Sequence, residues 1–237
     1  MKRNNNNPTS IPYVLLGSRL TIFLGFQSLV ALYLNSWQDS QKYWLLTATL
    51  TNLASIFLLY FLYKRENLRF INLLRFSRVT FRKDVLIFIG LTLIIIPIAF
   101  FPNKLLSNWF WQNDEVPFIM MFQPIESWLI YILLLAFPIT ITFAELATYF
   151  GYIMPRSEKH LNLKWLSILL PVLFLSIQHC TLPFIPDVKF IVYRGFVFLP
   201  FALLLGISIR FRPTLFPYFA FLHGIMDFGT AIMFLSL

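Results

Sequence analysis

Four side chains able to act as acid, base or metal ligand sit deep inside apolar runs of this chain: Glu145, His179, His223 and Asp227. His223 and Asp227 are four residues apart, so on a helix they share one face. An ionisable group in hydrocarbon costs a few kcal/mol or more, so it faces a bundle interior or a water-filled cavity and has partners there. Such a set can hydrolyse an amide with no covalent intermediate. Glu145 would take a proton from water as general base and pass it to the leaving nitrogen. His179 would orient the water, and His223 with Asp227 would stabilise the developing oxyanion. Cofactor-free chemistry is the expectation. The alternative is metal-assisted, because Glu145, His179, His223 and Asp227 also make a zinc ligand set, although no compact H-E-x-x-H spacing is present. Structural roles compete at each position: a histidine bonded to a backbone carbonyl, Asp227 orienting His223, and Glu145 paired with a Tyr or with Arg194.

The elements that position these residues follow from composition. Of 237 residues, 58% are hydrophobic and only 12% charged, and the mean hydropathy is +0.72. That excludes an ordinary soluble domain and points to an all-α, polytopic transmembrane helical bundle in contact with the lipid bilayer. Apolar runs predict about seven spans, at 14–37, 43–63, 85–101, 128–154, 165–184, 190–209 and 216–237, or up to eight if one is broken. Arg19, near the start of the first, is expected to snorkel. Three regions emerge: a disordered cytoplasmic tail at 1–12, N-terminal transmembrane helices at 13–127 with a basic amphipathic cytoplasmic loop at 64–84, and a candidate catalytic helical core at 128–237. Counted from the cytoplasmic ends at about 1.5 Å per residue, the four polar groups fall at depths of about 13 to 21 Å, in one layer near mid-membrane.

Charge placement sets the orientation. With the N-terminus inside, only Lys42, Lys104 and Lys189 fall outside, Arg19 and Arg194 lie within spans, and every other Lys and Arg of the 19 falls on the cytoplasmic side, as the positive-inside rule requires. The formal charge of +9 thus reflects membrane topology, and a nucleic-acid partner is set aside. Cys180 is the single cysteine, which excludes an intrachain disulfide. No internal repeat of the transporter kind is visible. Nothing in the sequence fixes an oligomeric state.

At these residues the chain resembles the CPBP family, the CAAX-protease and bacteriocin-processing group also called Abi. Its motifs are E-E-x-x-x-R continuing Gly-Tyr, F-x-x-x-H, and H-x-x-x-N or H-x-x-x-D. Aligning Gly151-Tyr152 places Glu145 on the first Glu, Leu146 on the second and Phe150 on the Arg. Leu175 to His179 stands for the second motif with Leu for Phe, and His223 to Asp227 fits the third in its Asp form. The resemblance implies the CAAX prenyl endopeptidase fold and an intramembrane protease acting on a membrane-embedded or lipid-anchored peptide, of prenylated or leader type, in a bacterial cell membrane. Its implied catalytic groups are Glu145, His179, His223 and Asp227; some relatives are described as metalloproteases. Leu146 and Phe150 remove the motif's second acid and its arginine. A catalytically inactive membrane scaffold or bacteriocin-immunity protein, and an ion-coupled transporter, are the alternative functions.

Overall fold

A computed structural model describes residues 10–237; most of the expected tail lies outside the described residues. The described residues form eleven α-helices: α1 (Ile11–Leu16), α2 (Ser18–Leu34), α3 (Trp37–Gln41), α4 (Trp44–Arg65), α5 (Phe81–Trp111), α6 (Val116–Met121), α7 (Ser127–Leu146), α8 (Met154–His160), α9 (Leu166–Gln178), α10 (Val188–Phe211) and α11 (Phe216–Met233). A π-helix (Ala147–Ile153) joins α7 to α8, and short 3-10 turns cover Phe70–Leu74 and His179–Thr181. No strand occurs among the described residues. Five helical stretches are long and apolar enough to cross a membrane: Trp44–Arg65, Phe81–Trp111, Ser127–His160, Val188–Phe211 and Pro213–Ser236; Ser18–Leu34 and Leu166–Thr181 are apolar but shorter. The architecture is consistent with an integral membrane helical bundle.

The seven apolar runs thus become seven helical stretches, two of them shortened for local reasons. The first run breaks at Gly17 into α1 and α2. The α9 helix has 13 residues, about 20 Å against a hydrocarbon thickness of about 30 Å. The chain then turns through Leu182 to Asp187 before α10 starts. Such a turn needs internal partners for its backbone where no water reaches. Gln27 supplies them from α2, donating to the Phe184 carbonyl at 3.1 Å and accepting from the Phe184 amide at 3.0 Å. Arg194 donates to the carbonyls of His179 (3.2 Å) and Leu182 (2.7 Å), placing a cation on the C-terminal end of α9, where the helix dipole favours one.

Two apolar cores sandwich the polar layer. The core at the basic end includes Leu146, Tyr149, Phe150, Leu175, Leu205 and Phe219, and the core at the other end includes Trp44, Leu45, Leu133, Phe137, Phe190 and Phe234. Ion pairs fasten the basic end. Arg212 donates to Asp84 Oδ1 at 2.5 Å, tying the end of α10 to the start of α5, while Arg156 grips both oxygens of Glu66 and Tyr152 donates to it at 2.9 Å. At the opposite end the Tyr193 hydroxyl meets Asn103 Oδ1 at 2.7 Å, joining α10 to α5 again. The segment between α4 and α5 does not float free: Leu73 lies over Gly151 of the π-helix, where a Cβ would meet its Cδ1 at 2.8 Å.

Helices α7 and α11 approach most closely at Gly224, where a Cβ would stand 2.0 Å from Thr142 Oγ1 and 3.0 Å from the Pro138 carbonyl. Overpacking of this kind costs about 1–3 kcal/mol, so Gly224→Ala is expected to lower the thermal unfolding temperature in detergent. Gly90→Ala, with nothing within 4 Å of its Cβ, should not. Burial works against the Glu66 carboxylate, but the hydrogen bonds from Arg156 and Tyr152 outweigh it and hold its pKa below the ordinary 4.5. A carboxylate depressed in the folded state stabilises above its unfolded pKa and loses that contribution as pH falls through the folded value. Glu66→Gln should therefore cost about 1 kcal/mol at pH 7, measured by thermal unfolding, and the difference from the wild type should close in acid.

Candidate functional site

The structure brings Glu145, His179, His223 and Asp227 to one cavity of about 330 Å³, room for several waters at about 30 Å³ each. Glu145 projects from the last turn of α7, immediately before the π-helix. An extra residue per turn there re-aims the side chains that follow, a feature common at functional sites. His179 begins the 3-10 turn that ends α9, and His223 and Asp227 lie on the face of α11 turned to α7. Glu145 is 2% exposed, His179 7% and His223 9%.

The two oxygens of Glu145 have different surroundings. Oε2 accepts a hydrogen bond from the Gln178 amide and lies 3.6 Å from the Arg19 guanidinium. Oε1 lies 3.0 Å from His223 Nε2, close enough for charge attraction but poorly aligned for a hydrogen bond, so Oε1 and both ring nitrogens of His223 remain buried without hydrogen-bond partners. The same His223 Nε2 is 3.4 Å from Asp227 Oδ2. Buried polar atoms are costly when left unmade; these belong to residues that line the cavity. His179 is held differently. Its Nδ1 lies 2.7 Å from the Leu175 carbonyl and its ring stacks on Phe198 with centroids 3.8 Å apart. In the neutral ring this makes Nδ1 the donor and leaves Nε2 as an acceptor.

Arg19 is the main departure from expectation. It does not snorkel: it is 2% exposed and points from α2 into the polar layer. Its Nε donates to Gln178 Oε1 at 2.9 Å, and its terminal nitrogens donate to Ser55 Oγ at 3.1 Å and Asn52 Oδ1 at 2.8 Å. Asn52 in turn donates to Thr140 Oγ1 on α7 at 3.2 Å, and the Tyr149 hydroxyl reaches Gln178 Oε1 at 3.2 Å. The partner of Glu145 is therefore Arg19, while Arg194 serves the end of α9. Sequence reasoning missed Arg19, Asn52, Ser55 and Gln178. The available signal was the same one that exposed Glu145, a polar residue inside an apolar run, applied to uncharged side chains as well.

Arg19 places a fixed positive charge against the carboxylate and Gln178 occupies one of its oxygens, while the Leu175 carbonyl holds Nδ1 of His179 and leaves its Nε2 available. Among the described residues no three His, Cys, Asp or Glu side chains gather as a metal-holding group. Leu146 and Phe150 are buried in the apolar core at the basic end.

Searches against protein-family models, curated proteins and solved structures find no match. Function is accordingly read from the chemistry of the site.

Breaking a buried ion pair by removing one partner costs about 3–5 kcal/mol, because the other charge is left uncompensated. Arg19→Met is expected to lower the thermal stability of the purified protein by that order. Adding Glu145→Gln to it should recover part of the loss, because the stranded carboxylate is gone.

Proposed function

We propose that this chain is an intramembrane endopeptidase of the CPBP kind its sequence resembles, hydrolysing a peptide bond of a membrane-embedded or lipid-anchored polypeptide. The observation that carries the reading is Glu145, a residue lining the cavity, whose Oε1 is buried without a hydrogen bond 3.0 Å from His223 Nε2 while the other oxygen is already held by Gln178 and Arg19. A carboxylate fixed by one oxygen and free at the other is the arrangement a general base needs.

Water bound between Glu145 Oε1 and His179 Nε2 gives its proton to Glu145 as its oxygen attacks the scissile carbonyl carbon. The carbonyl oxygen gathers negative charge and is met by a ring N–H of His223, whose cationic form Asp227 stabilises. Glu145 then returns the proton to the amide nitrogen, the C–N bond breaks, and a carboxylic acid and an amine leave. No serine or cysteine nucleophile and no metal takes part. The second acid and the arginine of the resembled motif have no counterpart at Leu146 and Phe150, and the cation beside the base comes instead from Arg19 on α2. In the membrane we read all seven apolar helical stretches as entering or crossing the bilayer, with the end rich in Lys and Arg toward the cytoplasm.

A non-proteolytic scaffold is the second reading, favoured by the number of bonds Arg19 makes around Glu145, which would also suit a purely structural charge pair.

Reconstitution in liposomes with a reporter-peptide library separates the two. Loss of a positioned general base or water-orienting histidine typically costs a factor of about 10² to 10⁴. Glu145→Ala and His179→Ala should lower cleavage by that order while Gly90→Ala matches the wild type. Equal cleavage by all would rule the peptidase out.

A further inference from the structure

The cavity around Glu145 is one-sided. On α7 its lining residues Phe137 and Ile141 precede Glu145, and on α11 Met226, Thr230 and Met233 follow His223. Those helices run in opposite directions, so both sets extend from the polar layer toward the same end, the one opposite the basic belt. No described residue of 64–84, the π-helix or α8 lines it. On that side Leu146, Tyr149, Phe150, Leu175, Leu205 and Phe219, all buried, form a packed apolar plug.

Helices α5, α6 and α11 all contribute to the cavity wall. At the plugged end α5 and α11 touch, with Phe88 against Tyr218 and Phe219 at centroid distances of 5.5 and 5.7 Å. Farther along, Ala99 and Asn103 of α5 and Met226 and Thr230 of α11 stand on the cavity wall, and Met226 is well exposed. A second cavity of about 670 Å³ beside α6 shares Asn103, Asp114 and Phe118 with the first. Together they run from Glu145 to the surface at the end away from the basic belt. Aromatic and methionine side chains dominate the first cavity (Trp44, Met121, Phe137, Phe198, Phe201, Met226), a lining suited to apolar chain.

We infer that the cavity is loaded from the end opposite the basic belt, past its lining residues on α5, α6 and α11, and that its substrate is an apolar peptide segment lying in that membrane half. Under the positive-inside rule this is the extracytoplasmic leaflet. The substrate assignment rests on the endopeptidase reading; the route does not. A chain end on the basic side meets the packed core before Glu145, whereas a segment in the opposite half meets the cavity wall.

Single-cysteine labelling tests the route. In a Cys180→Ser background, which removes the one native thiol, Val79→Cys marks the basic face because Val79 is 97% exposed between the basic residues of that loop. The probe is a methanethiosulfonate bearing a quaternary ammonium, added to sealed vesicles of either orientation; a fixed charge crosses hydrocarbon only at high cost. Met226→Cys is expected to react at least about tenfold faster from the face opposite the one that labels Val79→Cys, and Leu205→Cys in the plug from neither. Thr230→Cys gives the same readout should Met226→Cys fold poorly. Faster reaction of the cavity cysteine from the basic face, equal reaction from both, or reaction from neither overturns the route. Labelling reads access and not turnover, so adding Glu145→Gln should leave the asymmetry intact while cleavage is lost. The expected asymmetry in a protein that cleaves nothing would remove the peptidase reading alone, and cleavage with the asymmetry reversed would remove the route alone.

Discussion

A carboxylate at mid-bundle must be compensated, and the pairing of Glu145 with Arg19 organises the helices around that requirement. Removing each ion from water costs several kcal/mol even after relaxation. At 3.6 Å and an effective dielectric of about 20 their attraction returns about 5 kcal/mol, which does not cover both ions. The shortfall is met by hydrogen bonds, and these come from different elements: Asn52 and Ser55 on α4, Gln178 at the end of α9, and Thr140 on α7 through Asn52. One charge pair thus ties α2, α4, α7 and α9 together at a single depth. Helix α11 joins them through His223 and Asp227, and Gly224 lets it come close enough to do so.

The same network divides the work of the carboxylate. Every donor that Arg19 organises approaches Glu145 from the Oε2 side, and none reaches Oε1. Holding one oxygen fixes the plane of the carboxylate, and the other oxygen then lies against His223 Nε2 at 3.0 Å. Positioning of this kind is what a reaction site needs from its supporting residues, and the support here is supplied by uncharged amides and hydroxyls around one arginine. The π-helix that follows leaves the Gly151 carbonyl to be satisfied by the Tyr63 hydroxyl at 2.8 Å; the irregular backbone beside the base is itself anchored to α4.

The helical membrane architecture was legible from hydropathy and charge, because a bilayer requires long apolar segments and satisfied backbones. The meeting of Glu145, His179, His223 and Asp227 was legible as well, since depth along antiparallel helices follows from residue counts alone. Arg19 was not. Its position near the start of an apolar run suggested escape to the interface, but α1 already occupies that approach, with Leu15 and Leu16 packed into the core, and the side chain is directed inward instead. Arg194 was visible as a charge in a span, yet its role depends on α9 ending early and on the backbone of 182–187 turning inside the bundle, neither of which periodicity reports. Gln178, beside His179, carries no charge, so the cost of a buried ion that marks Glu145 in the sequence does not mark it.

Leu146 and Phe150 take on a different meaning once the two cores are distinguished. Taken as gaps in a motif, they imply that Glu145 has lost its charged support. In three dimensions they are part of the apolar plug, while the supporting cation stands on α2 and reaches Glu145 from another direction. A second acid and an arginine at those positions would place two more ions in the packed core at the basic end, beside Leu175 and Phe219, at several kcal/mol for each ion left uncompensated. With its cation on α2 the carboxylate is paired from another helix, and the end of the bundle that holds Leu146 and Phe150 packs as an apolar core; the pairing of Glu145 and the closure of the basic end are two aspects of one arrangement.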